Sequence, residues 1–243
     1  MTVLGTNLRK AHRSEDGRGP VVSVSQAAMS RRSVRVFTDK KVDRSLLTEI
    51  LAIAGRAPSG SNVQPWHCFA LTGDTLSRVG KAMQAEFEAT AGSTSPDYSY
   101  YAAPLPEPYL SRRRACGWGL YGQLQIGRGD VEKARAYRVR NYNFFGAPVG
   151  LVFTIHRAME KGSYLEYGMF LQSLMLAARE AGLDTCPQFS IAEYPGVLRS
   201  LLPIPEQHMI LCGMALGYAD PAAQLNTYQP ARVQVEEFAT FLD

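Results

Sequence analysis

Apolar residues along the chain recur every three to four positions in some segments and form short continuous runs in others. Between residues 44 and 56, Leu47, Ile50 and Ala54 share one face of a helix that ends before Pro58. The same reasoning predicts helices from residue 25, over 74–90 with Asp74 as the N-cap, over 108–126, 130–144 and 164–181, and a short helix ending at 201. Short buried strands are predicted at 66–71, 149–155 and 209–217, and residues 185–190 complete the core.

This order of elements predicts a mixed α+β fold. About four strands are expected, and several helices follow one another without a strand between them, which argues against a regular βαβ series. Residues 1–24 are interpreted as a flexible N-terminal arm, and residues 25–243 as a single domain that ends in a C-terminal arm over 221–243. The helix at 164–181 is apolar nearly all round and has to be covered. Together with the long tail, it predicts a homodimer.

The composition is that of an ordinary soluble globular protein, since 46% of the 243 residues are hydrophobic and 20% are charged. The formal net charge of +4 is too small to indicate nucleic acid or an anionic membrane as a partner. No apolar run approaches the ~18 to 20 residues that cross a bilayer. Residues 1–19 are polar where a signal peptide is apolar, so a cytoplasmic location is expected.

The cysteines and histidines indicate neither a metal site nor a disulfide framework. The cysteines are widely spaced without a CxxC pair, and the four histidines show no metal-ligand spacing. Residues 117–122 match GxGxxG, the spacing of a dinucleotide-binding loop. They follow a run of arginines on a predicted helix, where such a loop requires a buried strand, so no dinucleotide site is expected there.

Two segments carry candidate chemistry. In SRRSVR at 30–35, Arg31 and Arg35 lie one helical turn apart if the segment is helical, and their planar guanidinium groups suit a phosphate dianion; a solvated basic turn is the alternative. APSGSNVQPW at 57–66 is a loop of small residues between a helix and a strand. Its Asn62 and Gln64 suit the polar edge of a flavin that approaches the backbone closely, and an ordinary turn is the alternative.

The order and spacing of these two segments resemble the opening of the FMN-dependent nitroreductase family. The likeness continues through FGAP at 145–148, LAAREAGLDT at 176–185, CPQ at 186–188 and GYADP at 217–221, with Asn226 and Arg232 in the tail. It covers residues 25 to 240. The resemblance implies an FMN-binding α+β fold with a central, mostly antiparallel sheet flanked by helices and an extended C-terminal tail exchanged in a dimer.

The resemblance also implies which residues bind the cofactor. The FMN phosphate and ribityl end would be held by Arg31, Arg32, Ser33, Arg35 and Arg232. The residues that would line the flavin of the other subunit are Pro58, Ser59, Gly60 and Asn62. The residues that would lie along the ring are Pro187, Gln188, Phe189 and Ser190.

Substrate selection is expected in residues 92–145, the block in which subgroups of this family differ most and which is interpreted as variable lid helices. Aromatic residues there would stack on a ring substrate, and an arginine would attract the phosphates of a nicotinamide cofactor. Helix packing or solvated charge is an equal alternative for each of them. The candidate substrate-binding residues are Tyr98, Tyr101, Arg113, Trp118 and Tyr121.

The implied activity is that of an NAD(P)H oxidoreductase. NADPH or NADH would pass a hydride to flavin N5, and a small aromatic nitro or quinone substrate would accept the electrons in a ping-pong cycle, with no catalytic side chain and no metal. The alternatives are quinone or flavin reduction, reductive dehalogenation, and a non-catalytic flavin-binding protein. Two departures from the family are noted: EYG at 166–168 stands where relatives often have Asp-x-Gly, and Pro230 stands where some relatives carry a basic residue.

Overall fold

The structure, a computed structural model, describes residues 22–242. Most of the N-terminal arm predicted at 1–24 lies outside the described residues. The helices are α1 (Val24–Ser30), α2 (Arg44–Ala54), α3 (Gly73–Ala89), α4 (Tyr109–Gln123), α5 (Val131–Val139), α6 (Lys161–Glu180) and α7 (Pro195–Leu201). The strands are β1 (His67–Leu71), β2 (Val149–His156), β3 (Asp184–Gln188) and β4 (His208–Gly217).

Within residues 22–242 the four strands form one sheet in the order β1-β2-β4-β3, and every neighbouring pair is antiparallel. The predicted α+β class and the number of strands are confirmed. At the centre of the sheet, Val152 of β2 lies opposite Phe69 of β1 and Gly213 of β4. The two central strands, β2 and β4, are also the longest, so they carry most of the core.

Helices cover both faces of the sheet because the side chains of β2 alternate between the faces. Leu151 and Phe153 pack with apolar residues of α2 and α6 on one face. Val152, which lies between them in sequence, packs on the other face with Met83 and Phe87 of α3. The result is a helix–sheet–helix sandwich with an apolar cluster on each side of the sheet.

Three local expectations are wrong. The N-cap of α3 is Thr72, not Asp74, which lies in the first turn. The helix predicted over 130–144 ends at Val139 and passes into a 3-10 turn, Arg140–Gly146. In that turn Phe144 and Phe145 take left-handed backbone conformations, with φ of 54° and 55°, and both are buried. Burial of two adjacent aromatic rings therefore overrides helical continuation there.

The third correction concerns the segment that follows α1. The helix ends at Ser30, and Arg31 already has an extended backbone, with φ −61° and ψ 130°. Ser33 then forms an isolated parallel bridge with Thr185 of β3. Residues 31–35 are therefore extended, and the helical spacing assumed for Arg31 and Arg35 is wrong.

No helix among residues 22–242 combines the length and the hydropathy that crossing a membrane requires. The cytoplasmic location stays a prediction. So does the division of the chain into an N-terminal arm, one domain and a C-terminal arm.

The close approach of α3 to the sheet can be tested at Gly150 in β2. A methyl group at this position would lie 2.7 Å from Leu76 Cδ1 and 2.9 Å from Phe144 Cδ2, so Gly150→Ala overpacks the interface. We expect the free energy of unfolding, measured with urea, to fall by about 1–3 kcal/mol. Gly196→Ala in α7, where no described atom lies within 4 Å of the added methyl, is the control and should be neutral or slightly stabilising. Equal effects in the two variants would contradict the packing argument.

Candidate active site

The basic segment gains its arrangement from the edge of the sheet. The Val34 amide donates to the Thr185 carbonyl oxygen at 3.0 Å, next to the Ser33–Thr185 bridge. In an extended chain, alternate side chains point to opposite sides. Val34 is accordingly fully buried, while its neighbours Ser33 and Arg35 lie on the other side, beside Cys186. In the motif RRSVR, Val34 therefore faces the core, and the polar and cationic side chains of Ser33 and Arg35 form a row on the opposite side.

Cys186 lies under this row as a neutral thiol. Burial raises its pKa to about 11, against the opposing influence of Arg35, a hydrogen bond from Ser33, and Arg31. A thiol that is protonated at neutral pH supplies no negative charge. The nearby guanidinium groups therefore gain no counter-ion from Cys186.

Arg232 of the C-terminal arm adds another cation. Burial lowers the pKa of Arg31, and so does the positive charge of Arg232, which therefore lies within electrostatic range of Arg31. Within residues 22–242, no carboxylate forms an ion pair with Arg31, Arg35 or Arg232. We call these three residues the arginine cluster. Its uncompensated charge suits an anion with several acceptor oxygens, such as a phosphate.

Asn226 ties the C-terminal arm to the basic segment. Its Oδ1 accepts hydrogen bonds from the amides of Arg35 (3.1 Å) and Val36 (3.2 Å), and its Nδ2 donates to the carbonyl oxygens of Val36 (2.8 Å) and Asp220 (3.1 Å). The side chain is 4% exposed. A buried amide that makes four hydrogen bonds holds both segments in place. It thereby fixes the backbone position from which the Arg35 side chain extends.

Arg140 is a neighbour of the cluster that no sequence motif indicated. Its Nη2 donates to the carbonyl oxygen of Arg35 at 3.1 Å, across 105 residues of sequence. Arg140 lies in the 3-10 turn that was predicted to be helical. The direction of its side chain follows from the conformation of that turn.

Residues 185–190, which run from β3 into the turn that follows it, contain buried polar atoms without partners. Gln188 is 4% exposed, and its Nε2 donates to the Asn141 carbonyl oxygen at 2.8 Å, while its Oε1 is buried and unpaired. Ser190 Oγ, Thr185 Oγ1 and Arg32 Nε are likewise buried without a hydrogen-bond partner among the described residues. Unpaired buried polar atoms are uncommon, and several on adjoining segments indicate a polar ligand. Together with the arginine cluster they fit FMN, which has a phosphate, hydroxyl groups and a ring with a polar edge.

Among the described residues, the loop at 58–64 and the residues just after it contact α6 and not the arginine cluster. The Gly60 amide donates to Glu166 Oε1 of α6 at 2.7 Å, and Trp66 stacks on Phe170 with ring centroids 5.1 Å apart. Within residues 22–242, no hydrogen bond, ion pair or ring contact joins this loop to the arginine cluster or to residues 187–190. One chain therefore brings together the predicted residues at 31–35, 187–190 and 232 but not those at 58–62.

The predicted substrate-binding residues fall into two groups. Tyr101 receives the guanidinium of Arg113 over its ring at 4.3 Å and contacts Tyr100, whose ring lies 4.6 Å from that of Phe189. Tyr98 also contacts Phe189, at 5.4 Å, but its hydroxyl donates to the Leu211 carbonyl oxygen at 2.7 Å. Desolvation raises the pKa of Tyr98. Tyr98 thus anchors the loop, and its exposed neighbours Tyr100 and Tyr101 are presented beside the segment that follows β3.

The second group lies around α4 and α5. Trp118 contacts Tyr121 at 6.5 Å and receives the guanidinium of Arg128 at 5.1 Å, and Tyr121 contacts Tyr137 at 6.2 Å. Burial raises the pKa of Tyr137 to about 12, and Arg35 acts in the opposite direction. This aromatic chain therefore reaches toward the arginine cluster, whereas the Tyr101 group adjoins Phe189.

Asp97 anchors the loop between α3 and α4 that carries these tyrosines, and no sequence pattern indicated this role. Its carboxylate accepts hydrogen bonds from Arg157 (2.8 Å), Arg199 (2.8 Å) and the Ile210 amide (3.0 Å). Burial acts to raise the pKa of Asp97, but the hydrogen bonds from Ile210, Arg157 and Arg199 outweigh it and hold the pKa below its ordinary value. Donors from the residue after β2, from α7 and from β4 converge on a carboxylate whose side chain is 12% exposed.

The Asp97 anchor predicts an acid-dependent loss of stability. Asp97→Asn should lower the free energy of unfolding at pH 7 by about 2–3 kcal/mol, because charge-assisted hydrogen bonds are lost. Since the folded-state pKa is depressed, the difference from wild type should be full above the unfolded pKa of about 3.9 and should shrink as pH falls through the folded value. Urea unfolding at several pH values measures this, with the exposed Asp39→Asn as control. A difference independent of pH down to the acid limit would contradict the ionic role.

Comparison with known proteins shows the family to which the chain belongs. Residues 28–218 match the model of the Nitroreductase family. The chain is 41% identical over 212 residues to the chloronitrobenzene nitroreductase of Comamonas testosteroni, with 87% of this chain and 93% of the relative covered. It is also similar to a crystal structure of the FMN- and NADPH-dependent nitroreductase NfnB from Sphigopyxis sp. strain HMH, with a TM-score of 0.88, 39% identity, and 91% and 99% of the two chains covered.

A further similar structure is that of the FMN-dependent nitroreductase NfnB from Mycobacterium smegmatis in complex with NADPH. Its TM-score is 0.86 at 28% identity, and 91% of this chain and 100% of that chain are covered. The match to the family model spans most of the chain, and the sequence relative is covered almost throughout. The chain belongs to the nitroreductase family.

Proposed function

We propose that this protein is an FMN-dependent NAD(P)H oxidoreductase that reduces nitroaromatic compounds in a ping-pong cycle and works as a homodimer. The observation that carries the proposal is the arginine cluster, which has no ion-pair partner among residues 22–242 and adjoins several unpaired buried polar atoms. The names of the similar proteins support the activity, since they are a chloronitrobenzene nitroreductase and FMN-dependent nitroreductases.

In this proposal the cationic and the neutral polar residues bind different parts of the cofactor. Arg31, Arg35 and Arg232 neutralise the phosphate, and the hydroxyl of Ser33 lies in the same row. The unpaired oxygens of Gln188 and Ser190 are available to donors or hydroxyls of the ribityl chain and ring edge. The chemistry that bound FMN supplies is acceptance of a hydride from NAD(P)H and delivery of electrons to the nitro group.

The aromatic residues beside Phe189 favour a planar substrate. Tyr100 is 53% exposed and its ring is inclined by only 33° to that of Phe189. Tyr101 is also exposed and holds Arg113 over its ring. These rings offer a stacking surface for a nitroaromatic ring, and the cation favours an anionic group on the substrate or on the nicotinamide cofactor.

The homodimer is supported by apolar surface on α6 and by the position of the loop at 58–64. Leu165 is 71% exposed and Met169 is 46% exposed, although both belong to an otherwise packed helix. Phe241 and Leu242 in the C-terminal arm are 79% and 90% exposed. Apolar surface of this kind is typical of a subunit interface. A dimer would bring the loop at 58–64 of one subunit to the arginine cluster of the other.

The activity is tested by following the flavin under anaerobic conditions. We expect the purified protein to bind FMN, to lose its visible flavin absorption when NADPH is added, and to regain it when nitrobenzene follows. Reoxidation should proceed much faster with nitrobenzene than with buffer alone. A flavin that is not bleached by NADPH or NADH would contradict the proposed activity while leaving FMN binding intact.

The phosphate site is tested by removing single cations. Arg35→Ala and Arg232→Ala should each raise the FMN dissociation constant about 10- to 100-fold, since each removes a charge-assisted contact of roughly 1.5–3 kcal/mol. Titration of apoprotein with FMN, followed by flavin fluorescence, measures the effect. Arg78→Ala, which removes an exposed arginine of α3, is the matched control and should bind FMN like wild type. Unchanged affinity in both site variants would show that the phosphate lies elsewhere.

A further inference from the structure

The loop at 58–64 adopts a backbone that its residues do not favour. Ser61, Asn62 and Gln64 have φ of 49°, 60° and 51°, in the left-handed region that is normally left to glycine. Asn tolerates this region, but Ser and Gln do so rarely. Conformations of this kind persist when surrounding contacts impose them, and they cluster at ligand-binding sites.

Glu166 provides the contact from outside the loop. Its Oε1 accepts the Gly60 amide at 2.7 Å, whereas the loop's other hydrogen bonds, such as that from the Gln64 amide to Ser59 Oγ at 3.0 Å, are internal. Among residues 22–242, Glu166 is the one side chain of another element that hydrogen-bonds to residues 59–64. The second carboxylate oxygen, Oε2, is buried and has no partner among those residues. Among those residues, the Gly60 amide is therefore the only hydrogen-bond partner of this carboxylate.

Gly60 and Glu166 fit each other sterically. A methyl group on Gly60 would lie 3.0 Å from Glu166 Oε1, tighter than ordinary van der Waals contact. Gly60 has no positive φ, so the backbone itself would accept alanine. A methyl group at this position would therefore push the Glu166 carboxylate back from the Gly60 amide. An aspartate at 166 would be one methylene shorter and would no longer reach the Gly60 amide.

We propose that Glu166 is a positioning residue for the flavin, which acts by holding the loop at 58–64 in its left-handed conformation, and that Gly60 and Glu166 are a matched pair. The inference rests on the proposed function, in which this loop lines the FMN held by the other subunit. Glu166 itself touches the loop and acts on the flavin through it. The EYG sequence at 166–168, which departs from the family's Asp-x-Gly, is thereby linked to the glycine in the loop.

A double-mutant cycle on the full-length protein tests the pairing. Glu166→Asp should raise the FMN dissociation constant about tenfold, since it breaks a hydrogen bond to a charged group. Gly60→Ala alone should raise it several-fold, because the methyl group displaces the carboxylate. In Gly60→Ala/Glu166→Asp the methyl group has no carboxylate to displace, so the double variant should bind no more weakly than Glu166→Asp. Glu180→Asp, an exposed residue of the same helix, is the control.

Two readouts separate positioning from general destabilisation. The visible circular dichroism of FMN at saturation reports the surroundings of the ring, and it should change in Glu166→Asp but not in Glu180→Asp. Glu166→Gln keeps an oxygen acceptor for the Gly60 amide and should restore both the affinity and the spectrum toward wild type. Thermal unfolding of each apoprotein checks that the variants are folded.

The inference is overturned if the effects of Gly60→Ala and Glu166→Asp multiply in the double variant, or if Glu166→Asp matches Glu180→Asp in affinity and spectrum. It is also overturned if Glu166→Asp lowers only the unfolding temperature. These outcomes differ from a failure of the proposed function, in which the wild-type protein itself would not bind FMN or would not be reduced by NADPH.

Discussion

The arrangement of the proposed phosphate site depends on the pairing of Ser33 with Thr185 of the edge strand β3. Because the paired backbone is extended, successive side chains take opposite directions, and Val34 enters the core while Ser33 and Arg35 stay beside Cys186. The apolar residue in the middle of the motif is therefore as necessary as the arginines. It fixes which side of the segment is cationic.

The C-terminal arm completes the same site by a polar connection. Asn226 hydrogen-bonds to backbone groups of the basic segment and of Asp220, which precedes the arm. The arm is therefore fixed at Asn226, and the chain continues from there to Arg232. The like charges of Arg31 and Arg232 repel each other, and no carboxylate among the described residues forms an ion pair with either. In the proposed function, an anion bound there would relieve this repulsion, which would favour phosphate over a neutral ligand.

The sequence predicted the order and class of the elements because helices and strands here follow clear apolar periods. The family could also be recognised from the sequence, since the motifs that carry the resemblance are contiguous, and the roles of their residues stay a prediction. Prediction failed where distant contacts decide the local conformation. Residues 31–35 are extended because β3 lies beside them, and the anchor at Asp97 joins partners 60, 102 and 113 residues away, so no local pattern could indicate it. The contacts of the loop at 58–62 with flavin involve a second subunit and stay a prediction.

The anchor at Asp97 also bears on how such an enzyme changes its substrates during evolution. The carboxylate and the Tyr98 hydroxyl attach the start of the loop to β4, while Tyr100 and Tyr101 are exposed two or three positions later. The attachment does not involve the arginine cluster. Substitutions at the exposed positions can therefore alter the surface beside Phe189 without loosening the loop or disturbing the arginine cluster. Substrate range can diverge by single steps, each compatible with a folded, cofactor-loaded protein.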